Sequence, residues 1–492
     1  MGQNLNPSLG PSPTPSEPPH FTRTLDLKSA IAVNMTQMCG LGAYITIPLM
    51  VGAMGGPQAI FAWLLGAVLS MADGLVWAEL GAAMPGAGGT YIYLREAFQY
   101  RTGRLMPFLF VWTIILAVPL CMSTGVIGIV QYLGYYFPSL TASVPPTGSL
   151  TRDLFTAAHL ETTAISFAVV ILVVALLYRG IRAVGELTKI MFVVMLITVG
   201  VTILACFTHF DPKLAFTFPA GVFHWEGAFW LGLGQGLIFA FYDYAGYGTT
   251  AYIGEEIANP GRVIPKSIIY SILGIMAIYL TMNIGVMGVV PWKEVAASSH
   301  IGALVMERTW GKGAAMVLAA LIIITGFASV FTGLLGASRI PFNAARDKLF
   351  FPVFARLHPS HNFPHIGLLV MGLITAIASF FPLDQIINAL TAAVVIVQGL
   401  AQIAALTVLR RRQPQLDRPY RQLLYPVPSL LAAAGWGFAF WKSGNQMMVL
   451  ALAWLVLGTI AFLVWARLEK TWPFGKLEIR EVYLHLPAGS GK

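Results

Sequence analysis

The sequence predicts an all-α membrane protein of 12 transmembrane helices, arranged as a 5+5 inverted repeat plus two C-terminal helices. Three observations carry this reading. First, 57% of the 492 residues are hydrophobic and only 10% are charged, with a mean hydropathy of +0.73, whereas a soluble domain carries about 25% charged residues. Second, apolar runs of about 20 residues, the length that crosses a bilayer, recur along the whole chain. Third, the first and sixth runs are each interrupted by paired glycines, at Met38-Cys39-Gly40-Leu41-Gly42 and at Tyr244-Ala245-Gly246-Tyr247-Gly248.

Residues 1–24 are rich in Pro and Ser, lack the basic-then-apolar order of a signal peptide, and read as a disordered cytoplasmic tail. The runs then fall at about 28–53, 58–83, 105–134, 160–178 and 188–208. A second set follows at 228–252, 265–290, 313–338, 365–383 and 385–409, with two more at 423–441 and 446–466. One domain of residues 25–467 thus holds repeat 1 (about 28–208), repeat 2 (about 228–409) and the appended pair, ahead of a cytoplasmic tail at 468–492. The segment from Pro85 to Glu96 is too short and mixed to span, and reads as an interfacial helix or re-entrant stretch. The Pro-rich segment Val144 to Gly148 falls in an aqueous loop. The three cysteines, Cys39, Cys121 and Cys206, lie inside apolar runs, which argues against a disulfide framework or a thiolate metal cluster.

An even number of spans places both termini on one side. With that side cytoplasmic, 24 of the 30 lysines and arginines lie inside, leaving Arg152, Lys213, Lys293, Arg308, Lys312 and Lys442 outside. This follows the positive-inside rule and points to a multi-pass protein of the inner or plasma membrane. The net charge of +9 is therefore topological, and the lipid bilayer rather than nucleic acid is its partner. Five spans per set is an odd number, so the second set is inverted relative to the first.

Glycine in a helix interior costs about 1 kcal/mol relative to alanine, and an unpaired backbone group in lipid costs several more. Two such breaks at corresponding places match the substrate site of a secondary transporter, built from unwound backbone at the bilayer midplane. Around Gly40-Leu41-Gly42 the chain leaves helical geometry without a Cβ penalty. The N–H groups starting the next half-helix then favour a carboxylate, while carbonyls ending the previous one accept from an ammonium group or hold a cation. The break at Ala245 to Gly248 supplies a second set. Together they suit a zwitterion such as an amino acid, with Gln37, Cys39, Gly40, Leu41, Gly42, Tyr242, Asp243, Tyr244, Ala245, Gly246 and Tyr247 as substrate-binding candidates. Close packing by small residues is the competing explanation, and it suits Gly232-Leu233-Gly234-Gln235-Gly236 better than the breaks.

Ionisable residues inside spans cost at least about 2.5 kcal/mol each at the helix centre. Asp73, near the middle of span two, and Asp243, beside the second break, are candidates to load and release a coupling proton. Asp243 is equally placed to pair with a substrate's ammonium group, and either acid suits a hydrogen bond to a neighbouring helix. Glu79 is expected to serve the turn after span two. Ser329 and Thr332 in span eight offer oxygens for a cation site, although lone membrane hydroxyls usually bond their own backbone; Na⁺ is thus less expected than H⁺. Lys189 opens span five, close enough to the cytoplasm to snorkel. The tyrosines are suited to lining, gating or stacking on a cation. His358, His361 and His365 have ligand-like spacing, but Pro359 and Pro364 interrupt any common helix face, so no metal is expected. No nucleophile–base arrangement or phosphate loop occurs, and neither an enzyme nor a cofactor is expected.

Four motifs in order resemble the amino acid–polyamine–organocation (APC) superfamily over about residues 25–465. They are Gly40-Leu41-Gly42; then Ala78-Glu79-Leu80-Gly81 with Pro85-Gly86-Ala87-Gly88-Gly89-Thr90-Tyr91 and Leu94-Arg95-Glu96-Ala97-Phe98. Glu255-Glu256-Ile257-Ala258-Asn259-Pro260 with Arg262, Pro265 and Lys266 follows, and then Gly336-Ala337-Ser338-Arg339 with Ala344-Ala345-Arg346-Asp347. The resemblance implies a leucine-transporter-type fold in which helices 1, 2, 6 and 7 rock against 3, 4, 8 and 9. It implies that Gly40, Leu41 and Gly42 bind a carboxylate, and that Tyr242 to Gly246 bind an amino group and supply a gating aromatic. Two departures bear on coupling. Many members carry a lysine deep in helix five, where Ile190 to Ala205 is uncharged here, leaving only Lys189. Asp243 stands where others often have an uncharged residue, while an acid at Asp73 resembles the polyamine-uptake branch. The expectation is a proton-coupled amino acid permease, a symporter, with a polyamine or organic-cation transporter or a non-transporting amino acid sensor as alternatives.

Overall fold

The computed structural model describes residue 23 and residues 25–86, 88–140, 157–178, 184–219, 227–359 and 363–474. The first helix begins at a cap. Asp26 accepts from the Ser29 N–H at 2.9 Å, which meets one orphan donor of α1 (Leu27–Met38) and holds the Asp26 carboxyl below its ordinary range. At Cys39 the helix stops, and α2 (Gly42–Met54) resumes at 51° to it. Then follow α3 (Ala59–Ala83), α4 (Thr90–Thr102), α5 (Leu105–Tyr136), α6 (Ala157–Tyr178) and α7 (Val184–Thr208). The helix α8 (Gly227–Tyr244) ends at the second break, and α9 (Thr249–Tyr252) is a single turn beyond it. Further along lie α10 (Pro260–Met287), α11 (Ile301–Trp310), α12 (Lys312–Ala337), α13 (Arg339–Arg346) and α14 (His365–Ala378), with a short helix at Trp292–Ala297 and a 3₁₀ turn at Pro352–Ala355 between them. Last come α15 (Leu383–Val394), α16 (Ala401–Arg412), α17 (Val427–Lys442) and α18 (Asn445–Leu468). A π-helical stretch, Val395–Leu400, joins α15 to α16.

Among the described residues, seven helical stretches are long and apolar enough to cross a membrane, and eight with the bent α1–α2 pair. The chain is a multi-pass membrane protein. Its outer faces agree: Val449, Val456, Ile460 and Val464 of α18 are each more than half exposed, as lipid-facing side chains are. The interior is built around α3, which packs on α8, α10 and α17, and around the pairing of α5 with α12. Small residues set the spacing. Gly66 abuts Ala240, Gly232 abuts the Ala53 carbonyl, and Gly236 abuts Ala62, so the glycines of 232–236 serve close helix packing.

Span six, expected over 228–252, comprises α8 and, past the break, α9, followed by the 3₁₀ turn Gly254–Glu256, and other segments hydrogen-bond this stretch. Leu25 donates to the Glu256 carbonyl at 3.0 Å and accepts from the Ala258 N–H at 2.9 Å, while Gly88 donates to the Tyr252 carbonyl at 3.0 Å. The stretch after Pro85 forms the short α4, tied by Tyr91 Oη to Asp347 Oδ2 at 2.7 Å and by Thr90 Oγ1 to Gln402 Oε1 at 2.5 Å. His358 and His365 pack edge-on with Phe363 stacked on His358; His361 lies outside the described residues. So do residues 1–22 and 475–492 of the two tails and the loop at Val144 to Gly148.

Glu79 does not serve the turn that follows it. It is fully buried and accepts from Arg410 Nε at 2.8 Å, Arg410 Nη2 at 2.5 Å and the Gln422 N–H at 2.7 Å. Arg418 Nε stands 3.5 Å away, and the Arg410 guanidinium lies 3.8 Å above the Tyr425 ring. A buried carboxylate needs both charge and donors, and here they come from the end of α16 and the segment after it. Glu79→Gln leaves Arg410 and Arg418 facing a neutral amide, and breaking a buried ion network costs about 3–5 kcal/mol. We expect the Tm of the detergent-solubilised variant, followed by intrinsic fluorescence, to drop by several degrees; an unchanged Tm would rule the hub out.

Candidate functional site

At the first break Cys39 turns out of the helix (φ −98°, ψ 77°) while its N–H still reaches the Met35 carbonyl at 2.7 Å. Leu41 returns to helical angles (φ −69°, ψ −16°). Its side chain is buried against Gly128 of α5 and Gly326 of α12, so Leu41 gives the site only backbone. Gly40 faces α12, where an added Cβ would lie 3.3 Å from Ser329 Oγ. At the second break Gly246 has φ +120°, a conformation that L side chains rarely adopt. A Cβ there would stand 3.0 Å from both the carbonyl carbon and the Cβ of Gln37. The two interruptions, about two hundred residues apart in sequence, therefore touch. Gln37 and Ala245 are exposed beside this contact, whereas Cys39, Asp243 and Tyr247 are buried.

Polar side chains from both halves complete the junction. Tyr279 of α10 donates its hydroxyl to the Met38 carbonyl at 2.6 Å and lies 3.4 Å from the Asp243 carbonyl. Thr46, one turn into α2, hydrogen-bonds Asp243 Oδ2 through its hydroxyl, which also sits 3.0 Å from the Gly42 carbonyl. The other carboxylate oxygen, Oδ1, is buried without a hydrogen-bond partner and lies against Gly42, where any Cβ would overlap it. Tyr242 Oη meets Thr124 Oγ1 of α5 at 2.6 Å. Below the break, Asn34 of α1 grips α9: its Oδ1 accepts from the Thr250 N–H at 2.9 Å and its Nδ2 donates to Thr250 Oγ1 at 3.2 Å.

Asp73 has a different environment. Its Oδ2 accepts from Tyr247 Oη at 2.6 Å and Trp77 Nε1 at 3.0 Å, and its Oδ1 from Trp436 Nε1 at 3.1 Å. Both oxygens are thus engaged, and the carboxylate pins the second break to α3 and α17. Tyr244 packs its ring on Trp63 and Tyr279 rather than toward the first break. Of the cation-site candidates, Ser329 faces Gly40, while Thr332 returns its hydroxyl to the Ala328 carbonyl at 2.8 Å. Lys189 belongs to α7, with its side chain outside the described residues.

The sequence reading missed Asn34, Thr46, Thr124, Trp77, Tyr279 and Trp436. Thr46 and Asn34 carried a signal, since each lies four residues from a break position and so on the same helix face. Tyr279 and Trp436 reach the site only through tertiary packing.

Residues 25–466 match the protein family described as Amino acid permease. Among curated proteins the chain is similar to the branched-chain amino acid permease BcaP of Bacillus subtilis (strain 168), 26% identical over 461 residues that cover 90% of this chain and 94% of that one. It is similar also to the serine/threonine exchanger SteT of the same organism, 25% identical over 440 residues covering 87% and 91%. The aspartate-proton symporter of that organism is 24% identical over 455 residues, covering 87% and 83%.

The three donors on Asp73 give an ordered prediction. Asp73→Asn turns an NH₂ group toward an indole or phenol donor and leaves a buried donor unpaired, a loss of about 1–3 kcal/mol. Tyr247→Phe removes one donor of three and costs less. Thermal unfolding of both variants should rank Asp73→Asn as the less stable; the reverse order would contradict the anchoring role.

Proposed function

The chain belongs to the amino acid permease family, within the APC superfamily, and on that premise we propose that it is a proton-coupled secondary active transporter carrying amino acids across the cell membrane by alternating access. Twelve membrane helices in a leucine-transporter-type 5+5 inverted repeat form its scaffold, with α1–α2 leading one half, α8–α9 leading the other, and both termini cytoplasmic. The substrate lies between the two breaks. Backbone N–H groups around Gly40, Leu41 and Gly42 take its carboxylate, carbonyls from Tyr242 to Gly246 take its ammonium group, and Tyr242 closes over it. The observation that carries this reading is the contact of Gly246 with Gln37, which brings the two sets of unwound backbone to one place.

The coupling proton rides on Asp243. Its support is the unpartnered Oδ1 beside Gly42, whereas the three donors on Asp73 suit a carboxylate that positions Tyr247. The reading is tested in proteoliposomes supplied with labelled amino acids under an inward pH gradient, where accumulation is expected for at least one of them. Saturable binding without flux would favour a sensor instead, and uptake confined to polyamines would move the substrate class. Asp243→Asn should abolish gradient-driven accumulation and retain counterflow of the same substrate. Accumulation at the wild-type level in this variant would remove Asp243 from the coupling step.

A further inference from the structure

We propose that Asp243 and the substrate's carboxylate compete for the same end of α2, so that the site admits an amino acid only after a proton has neutralised Asp243. This deepens the transporter reading and rests on it. Helix α2 runs for 13 residues, and no side chain caps its N-terminus. An anion from the other half stands beside that end without accepting from its N–H groups: Asp243 presses Oδ1, which has no hydrogen-bond partner, against Gly42 and sets Oδ2 on the Thr46 hydroxyl. An amino acid whose carboxylate seeks the N–H groups of that end meets a resident carboxylate beside them. Two carboxylates sharing one buried site do not both ionise.

No fixed cation among the described residues relieves this conflict. The titratable groups facing Asp243 are Cys39 at the end of α1, Cys121 of α5, its neighbours Tyr242 and Tyr244, and Tyr279 of α10. All are neutral or acidic types, and among the described residues no lysine or arginine pairs with Asp243. The charge must then be removed by a proton or matched by a cation from solution. Because Oδ2 already accepts from Thr46, the proton sits on Oδ1, the oxygen without a partner. There it serves twice: it ends the repulsion, and it gives Oδ1 an O–H to donate to the incoming carboxylate. One proton enters with one amino acid, bound as Asp243-COOH, and returns to water on the far side when the substrate has left. No covalent bond changes, and a zwitterionic substrate carries one positive charge per cycle.

A primary amine with no carboxylate makes the opposite demand. It gains nothing from the α2 end and pairs best with ionised Asp243. The test therefore compares two ligands on the full-length protein: the amino acid giving the strongest uptake in a screen of the common twenty, and the amine left when its carboxyl is removed. Wild-type KM for the amino acid should rise about tenfold per pH unit on the alkaline limb, the slope of one linked proton. Inhibition by the amine should strengthen over the same interval. Asp243→Asn should flatten the amino acid's dependence and abolish inhibition by the amine. Thr46→Val keeps the carboxylate but removes its donor, and should move the alkaline limb to higher pH; it serves also if the asparagine variant fails to fold. The same pH slope for both ligands, or an Asp243→Asn protein with the wild-type slope, overturns the proposal. Absence of flux for every amino acid sinks the permease reading instead, since equilibrium binding of leucine and of its decarboxylated amine, isopentylamine, to solubilised protein still reads the competition.

Discussion

Unwound backbone inside a membrane must find its hydrogen-bond partners within the protein, and each break finds them in the other half of the chain. The Met38 carbonyl, freed where α1 ends, takes the Tyr279 hydroxyl from α10. Asn34 of α1 holds the single turn α9 beyond the second break. Leu25, just ahead of α1, pairs with Glu256 and Ala258 where α9 gives way to the next loop. None of these bonds forms unless the two halves are docked. The local cost of each break is thus met by long-range structure, and the site exists only as a junction.

The two intramembrane acids show how donors divide roles between like residues. Asp73 has an indole, a second indole and a phenol on its oxygens, and through Tyr247 it fixes where the chain emerges from the second break. Asp243 has one donor, and its second oxygen is buried with none. A satisfied carboxylate in a low-dielectric site is rigid, whereas a half-satisfied one holds an unspent demand for a proton or cation. Both acids are almost fully buried, so exposure does not separate them. The count of donors does.

Much of this was legible in the sequence, and the rest was not for physical reasons. Glycine pairs inside apolar runs announced both breaks, and an acid beside the second marked a candidate site, because lipid tolerates neither without compensation. What the one-dimensional chain could not carry was partnership at long range. Glu79 looks like the end of a helix until Arg410, 331 residues later, closes on it. Leu41 sits in a motif that resembles a ligand cradle, yet its side chain fills the gap between two glycines on other helices. The extent of span six was legible, but the bonds that Leu25 and Gly88 make to the stretch beyond it were not.

Gly42 and Gly246 illustrate that one residue type answers two different needs. Gly246 is required by its backbone, which lies at φ +120° against Gln37. Gly42 has ordinary helical neighbours and no such φ; what excludes a side chain is the Asp243 carboxylate on its Cα. The first break is therefore shaped by an acid of the second, and its missing Cβ is the space that acid occupies. In the proposed mechanism, a helix end open to a carboxylate and an acid beside that opening conflict only while the acid is charged. Once it is neutral they are two states of one site, and that is the proposed tie of substrate to proton.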